Sequence, residues 1–196
     1  MNKKLGIGLF AAWAIHDIEE WLAIGSWGQG HGGDKNSRGG LRLPAPSTEQ
    51  ERTAIALMAV IFAAAAANGV RTGGRSRWFQ ATLAGFGLHG FGHIALSVAA
   101  RGYTPGVITT PLVVFPFAGW AWKQLGKRGI RHSTGQTVRD AVPLMIGALA
   151  VAHTGAALLR RAASGRRRPS AKLDDRRCRS HDSQWPCVGV NAWRPE

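Results

Sequence analysis

Three side chains with acid–base and metal-binding chemistry lie on one face of the first apolar stretch. His16, Glu19 and Glu20 fall within an arc of about 100° if residues 5–25 form an α-helix. Asp17 lies about 60° beyond Glu20, on the flank of the same face. Ionisable groups inside apolar helices are costly and are usually functional. We therefore expect this face to form part of a functional site.

A second pair of candidate ligands lies in the third apolar stretch, residues 79–100. His89 and His93 are four positions apart in the sequence, so their rings point the same way from a helix. Measured from one end of the predicted spans, Glu19 and His93 each lie about 21 Å deep, and His89 about 15 Å. His153, in the fifth stretch, lies about 18 Å deep. These similar depths predict one polar layer shared by three helices.

The carboxylates in this layer need a neutralising charge. Each costs roughly 2.5–3.5 kcal/mol at mid-membrane. Stretches one, three, four and five contain no Lys or Arg. Protonation, a histidine cation or a bound metal remain as neutralising groups.

A mixed set of histidines and carboxylates suits Fe, Mn or Zn. Carboxylate–His pairs three residues apart build two-metal sites in helical bundles, although His16 precedes Glu19 here and so reverses the usual order. We predict a divalent metal, with Glu20 as a bridging ligand or a general base. The predicted metal ligands are His16, Glu19, Glu20, His89 and His93, and the further candidates are Asn68, His153 and Asp17.

The elements that would position these residues are five apolar segments. Each approaches the roughly 20 residues that a helix needs to cross a bilayer. A soluble five-helix bundle would need polar helix faces, whereas residues 55–67 are apolar on all sides. We predict an all-α, polytopic transmembrane bundle in the cell membrane, with the lipid bilayer as its partner. The predicted spans are residues 5–25, 53–70, 79–100, 106–122 and 141–159.

The remaining segments are polar and carry much of the net charge of +14. Residues 26–51 are predicted to form a Gly- and Pro-rich loop, flexible around residues 28–33. The transmembrane domain is predicted to cover residues 1–160, followed by a disordered basic tail over residues 161–196. No zinc-finger spacing or basic helix interleaved with aromatic residues is present, so nucleic-acid binding is not expected.

The order of these motifs resembles the HXXEE family of bacterial integral membrane proteins. The resemblance begins with His16-Asp17-Ile18-Glu19-Glu20 and continues through Asn68, the His89 and His93 pair and the turn at residues 103–106. It covers about residues 8–125. The family is functionally uncharacterised, so the resemblance implies a membrane protein and marks residues to test, without supplying a reaction.

Three functions agree with these features. The first is a metal-dependent membrane enzyme acting on a small apolar or lipid-like substrate, a hydrolase with Zn or an oxidoreductase with iron. The second is a proton-coupled transporter or channel component that uses the cluster as a relay. The third is a structural role, in which the polar groups hold the helices together. The sequence leaves the oligomeric state open.

Overall fold

The computed structural model describes residues 3–31 and 47–166, and within these ranges the chain is helical with no strand. This confirms the predicted all-α class. The helices are α1 (Lys4–His31), α2 (Thr48–Thr72), α3 (Arg77–Ala100), a short π-helical segment (Thr110–Val114) that continues into α4 (Phe115–Lys127), and α5 (Thr134–Arg166). One compact unit spans Met1–Arg160, and the second, Arg161–Glu196, is described only over the last residues of α5.

The predicted polar loop and the predicted tail both begin earlier in the prediction than in the structure. The predicted loop begins at residue 26, but α1 continues to His31. Each glycine costs an established helix only about 1 kcal/mol, and the Trp27 indole fixes this last part of α1 by donating to the Tyr103 carbonyl (3.1 Å). Helix α5 continues to Arg166, past the predicted boundary at residue 160. The rest of the predicted loop and tail, residues 32–46 and 167–196, lie outside the described residues.

The first two helices pack antiparallel along most of their length. Near the start of α1, Gly6 lies against the backbone of Val70, and near its end Gly25 faces Thr48. Midway, Trp13 stacks on Phe62 with ring centroids 5.2 Å apart. This pairing fixes which residues of α1 lie at the level of each residue of α2.

A tight turn then reverses the chain into α3. Gly73 ends α2 with a positive φ of 63°, and Ser76 starts α3 by accepting a hydrogen bond from the Phe79 N–H. The fully buried Gln80 links this turn to the segment before α5, because its side-chain amide donates to the carbonyls of Gly74 and Ile130. Helix α3 therefore runs antiparallel to α2 and in the same direction as α1.

The apolar core lies between α1, α2, α3 and α4, while much of the outer surface is also apolar. Three helices are long and apolar enough to cross a membrane, namely α2, α3 and residues Thr134–Ser164 of α5. Large apolar side chains are exposed on the outside of the bundle, for example Leu22, Val60, Val98, Leu112 and Val151. The buried core consists of Leu5, Leu9, Ala12, Trp13, Phe62, Phe79, Leu83, Phe86, Val114, Ala121 and Leu125.

Helix α5 lies against the bundle at two levels. Near its start, Asp140 accepts a bidentate hydrogen bond from Arg77 of α3. Further along, the buried Ala152 and Ala156 pack against Ala54 of α2. Between these two contacts, residues 144–149 of α5 face a cavity.

Candidate metal centre

The structure brings four of the predicted ligands together between α1 and α3. His16 and His89 each lie about 18 Å from the start of their helices, and Glu20 and His93 each lie about 24 Å from it. Since α1 and α3 run in the same direction and start at the same level, the four residues lie at matching heights. One potential ligand atom from each residue lies within 4.8 Å of the other three.

The distances within this group, which we call the His/Glu cluster, suit one metal ion. The Nε2 atom of His93 lies 2.8 Å from His89 Nε2, 3.3 Å from His16 Nε2 and 3.1 Å from Glu20 Oε1. His16 Nε2 and Glu20 Oε1 are 3.9 Å apart. Ligand atoms around a tetrahedral ion with bonds of about 2.1 Å lie about 3.4 Å apart. The observed separations bracket that value.

A backbone carbonyl fixes the orientation of the His93 ring. The Pro105 carbonyl lies 2.9 Å from His93 Nδ1 and can only accept, so Nδ1 carries the proton and donates. In the neutral ring the lone pair is then on Nε2, which faces the cluster. This is the outer-shell arrangement that positions a metal-binding histidine.

A threonine hydroxyl does the same for His16. The single proton of Thr109 Oγ1 is donated to Glu19 Oε2 at 2.6 Å, so the hydroxyl oxygen accepts from His16 Nδ1 at 2.8 Å. The lone pair of His16 therefore also lies on Nε2 and faces the cluster. Glu19, Thr109 and His16 form a continuous chain from a carboxylate to the candidate ligand.

Glu19 was predicted as a ligand, but the structure does not bring it into the cluster. Its two oxygens accept hydrogen bonds from the backbone N–H groups of Ile108 and Thr109, the Thr109 hydroxyl and the Tyr103 hydroxyl. The physical reason is rotation about α1. Glu20 lies about 40° from His16 on one side, whereas Glu19 lies about 60° away on the other side, facing the loop before α4.

Tyr103 belongs to this loop, and its hydroxyl donates a hydrogen bond to Glu19. Partial burial and the hydrogen bond to Glu19 raise the pKa of Tyr103 to about 12. The phenol is therefore protonated throughout the ordinary pH range and continues to donate to Glu19 Oε1 at 3.0 Å. This contact secures the carboxylate that acts on His16 through Thr109.

Sequence analysis did not identify two loop residues that shape the site, Thr109 and Gly106. Gly106 adopts a positive φ of 85°, and a Cβ atom there would lie 2.8 Å from the His93 ring and 2.9 Å from Glu20 Oε1. Glycine meets both requirements, because it has no Cβ and tolerates this backbone conformation. The one sequence signal near these residues is the turn at 103–106, which resembles the HXXEE family pattern but does not by itself indicate metal chemistry.

The three further candidates lie outside the cluster. His153, on α5, lies 3.9 Å from Glu51 of α2 instead, and helix α5 begins at Thr134, seven residues before the predicted start. Asn68 lies near the end of α2, beside the start of α1. Asp17 is 8% exposed and lines the cavity, with no hydrogen bond or ion pair to any described residue.

This cavity adjoins the cluster and has a volume of about 230 Å³. Helices α1, α2, α3 and α5 form its walls. Glu20 and His89 of the cluster belong to its lining, so a molecule in the cavity would reach the cluster directly. Most of the remaining lining is apolar and includes Trp13, Met58, Phe62, Phe86, Leu144 and Leu149.

Comparison with known proteins identifies a family but no characterised relative. No curated protein and no solved structure matches this chain. The sequence matches a family described as "Protein of unknown function with HXXEE motif" over residues 7–121. This range contains the whole His/Glu cluster and its supporting loop, and it ends before α5. The match covers more than half of the chain, which therefore belongs to the HXXEE family.

Proposed function

We propose that this protein is a metal-dependent membrane enzyme that acts on a small apolar or lipid-like substrate. One observation carries the proposal: four metal-binding side chains converge at the wall of an apolar cavity. The proposed ligand atoms are Nε2 of His16, His89 and His93 and Oε1 of Glu20.

The hydrogen-bond pattern of the cluster supports a bound cation. Because the Nδ1 atoms of His16 and His93 donate to Thr109 and Pro105, their Nε2 lone pairs face each other at 3.3 Å. A proton on His89 Nε2 can satisfy His93, but it leaves the lone pair of His16 and the Glu20 carboxylate without a donor. A divalent cation satisfies all four atoms at once.

The ligand set restricts the metal and its chemistry. Three imidazole nitrogens and one carboxylate oxygen suit Zn, Fe or Mn. A bound zinc ion would supply Lewis-acid catalysis for hydrolysis, and a bound iron ion would supply oxidation. The cluster offers four donor atoms, and Glu19 is hydrogen-bonded to the loop instead. This number of donors suits a single ion.

The cavity side chains would then bind and orient the substrate. The apolar lining excludes water from the region beside Glu20 and His89. Asp17 lies in the same lining without a partner among the described residues, and it is placed to hydrogen-bond a polar group of a bound substrate. Glu20, predicted as a bridging ligand or a base, would act as a ligand through Oε1.

A membrane location supports an apolar substrate. The outward-facing surfaces of α2, α3 and α5 are rich in large apolar side chains, which water would not favour. A substrate dissolved in the bilayer could enter between these helices without crossing water. We therefore propose a multi-pass location in the cell membrane.

The metal content of detergent-purified protein tests this proposal. We expect about one Zn, Fe or Mn per chain, and loss of the metal in His89→Ala. His153→Ala is the matched control, because His153 lines the same cavity but lies outside the cluster. It should keep the metal, with both variants eluting as folded protein.

Two results would contradict the metal site. One is less than about 0.2 metal ions per chain in the unmodified protein. The other is an equal metal content in the unmodified protein and His89→Ala. A metal-free protein with pH-dependent proton flux in liposomes would instead favour the relay function.

A further inference from the structure

The cavity beside the His/Glu cluster has a polar end and an apolar end. His89 of the cluster lines the polar end. Between His89 and the start of α3, the α3 part of the lining consists of Ala81, Thr82, Gly85 and Phe86. The Thr82 hydroxyl donates to the Trp78 carbonyl within α3 (2.9 Å), so it is not available to a ligand. The apolar end therefore suits hydrocarbon.

The apolar end is closed where α3 and α5 approach each other. A Cβ atom at Gly85 would lie 3.7 Å from the Ala141 carbonyl oxygen, which is van der Waals contact. Ala81 and Ala141 line this end and are only 3% and 0% exposed. Near the start of both helices, Arg77 donates to Asp140 and fixes α3 against α5. A chain that enters beside the cluster therefore meets a wall at this end.

The dimensions of the cavity limit the length of such a chain. Along α3, the distance from His89 to Ala81 is about 12 Å. An apolar cavity of about 150 Å³ holds one benzene molecule. By the same proportion, the cavity volume of about 230 Å³ holds about nine carbon atoms. Because the polar end shares this volume, about nine carbons is an upper limit.

We propose that the apolar end of this cavity binds one unbranched alkyl chain of at most about nine carbons, and that the closed end excludes longer chains. The substrate is then a medium-length, single-chain compound whose reacting group lies beside Glu20 and His89. This inference rests on the proposed function in taking the cluster as the reacting centre. The limit on chain length depends only on the walls, and it holds with or without a metal on the cluster.

Competition among uncharged alcohols of different lengths tests the proposal in protein held in nanodiscs. 1-Bromohexane quenches the fluorescence of Trp13, which lines the cavity, and the cavity signal is the quenching lost in Trp13→Phe. Each alcohol is compared at equal mole fraction in the lipid. We expect nonanol to relieve the quenching at mole fractions at least about fivefold lower than hexadecanol, because the extra methylene groups do not fit within the walls.

A variant that enlarges the apolar end should accept a longer chain. Leu144 lines this end from α5, and Leu144→Ala removes as many carbons as dodecanol has beyond nonanol. We expect dodecanol to compete at least about fivefold less well than nonanol in the unmodified protein, but equally well in Leu144→Ala. Leu159→Ala is the matched control, because Leu159 is 56% exposed and lies outside the lining of the cavity.

Two further variants separate binding in the cavity from binding to the lipid-facing surface. Ala148→Phe fills the cavity from α5 and should abolish the quenching of Trp13 by 1-bromohexane. Ala150→Phe, on the exposed side of α5, should leave the quenching unchanged.

The proposal is overturned if hexadecanol competes as well as nonanol, or if Ala148→Phe does not reduce the quenching. The same conclusion follows if Leu144→Ala and Leu159→Ala show the same preference for chain length. Metal content is measured separately on the same preparation, so the two proposals can fail independently. A metal-free protein that prefers nonanol would overturn the proposed function alone, and a metal-loaded protein without this preference would overturn this inference alone.

Discussion

The Thr109 hydroxyl contacts Nδ1 of His16 and thereby determines that the lone pair of the ring lies on Nε2, the candidate ligand atom. It lies between the Glu19 carboxylate and His16 Nδ1, with contacts of 2.6 Å and 2.8 Å. Because Glu19 takes the hydroxyl proton, the Nε2 lone pair of His16 faces the cluster. Such outer-shell partners orient a ligand and raise its basicity, and losing one typically costs 10–100-fold in metal affinity.

We expect Thr109→Val to weaken metal binding by about 10–100-fold, because valine keeps the shape of threonine but not the hydroxyl. Competition with a chelator of known affinity measures the change. Thr137→Val is the matched control, since the buried Thr137 hydroxyl donates only to the carbonyl of Ser133, the residue before α5. Equal metal affinity in Thr109→Val and the unmodified protein would show that Glu19 does not act on His16 through this hydroxyl.

Among the elements, α5 contributes the outer wall of the cavity but none of the four clustered ligands. It begins at Thr134, beyond the family match that ends at residue 121. The cluster is therefore built from the matched region, while the space available to a substrate depends on α5. Small residues allow this packing, since Ala152 is fully buried against α2.

We expect Ala152→Leu to lower the free energy of unfolding by about 1–3 kcal/mol, because added methylene groups overpack a tight contact. Thermal unfolding in detergent measures this change. Val151→Leu is the control on the same helix, because Val151 is 66% exposed and should tolerate the larger side chain. If both variants unfold at the same temperature, α5 does not pack on α2 through this face.

At the scale of the whole molecule, the described part of the chain differs from a water-soluble protein in exposing many large apolar side chains while it buries a cluster of polar ones. The cluster and the cavity place histidines and carboxylates inside the bundle, whereas the surface exposes Leu22, Val98 and Leu112 by about 70% each. A bilayer removes the cost of exposing these apolar side chains. In a bilayer, the buried carboxylates would need strong compensation from hydrogen bonds or a metal.

We expect the protein to remain in the membrane fraction after washing with alkaline carbonate and to be released only by detergent. The exposed apolar surface would otherwise cause aggregation in water. Immunoblotting of the pellet and supernatant measures this, with a peripheral protein of the same membranes as the released control. A monodisperse protein in the carbonate supernatant would overturn the membrane location.

The sequence by itself determined the all-α class and a set of candidate ligands that includes the four residues of the cluster. Helical periodicity is local, so residue spacing alone aligned His16 with Glu19 and Glu20, and His89 with His93. The absence of Lys and Arg from the apolar stretch that carries each pair also indicated that the carboxylates need another source of positive charge. These properties follow from residue type and spacing without any knowledge of the packing.

Only the tertiary structure decided which carboxylate faces the cluster and what surrounds it. Glu19 and Glu20 are adjacent in sequence, and their roles differ because α1 presents one to α3 and the other to the loop carrying Thr109. The pairing of His153 with Glu51 depends on the packing of α5 against α2, which the apolar pattern did not reveal. The cavity depends on how α5 packs on α2 and α3. These properties arise from contacts between segments distant in sequence, and the local spacing of residues does not specify such contacts.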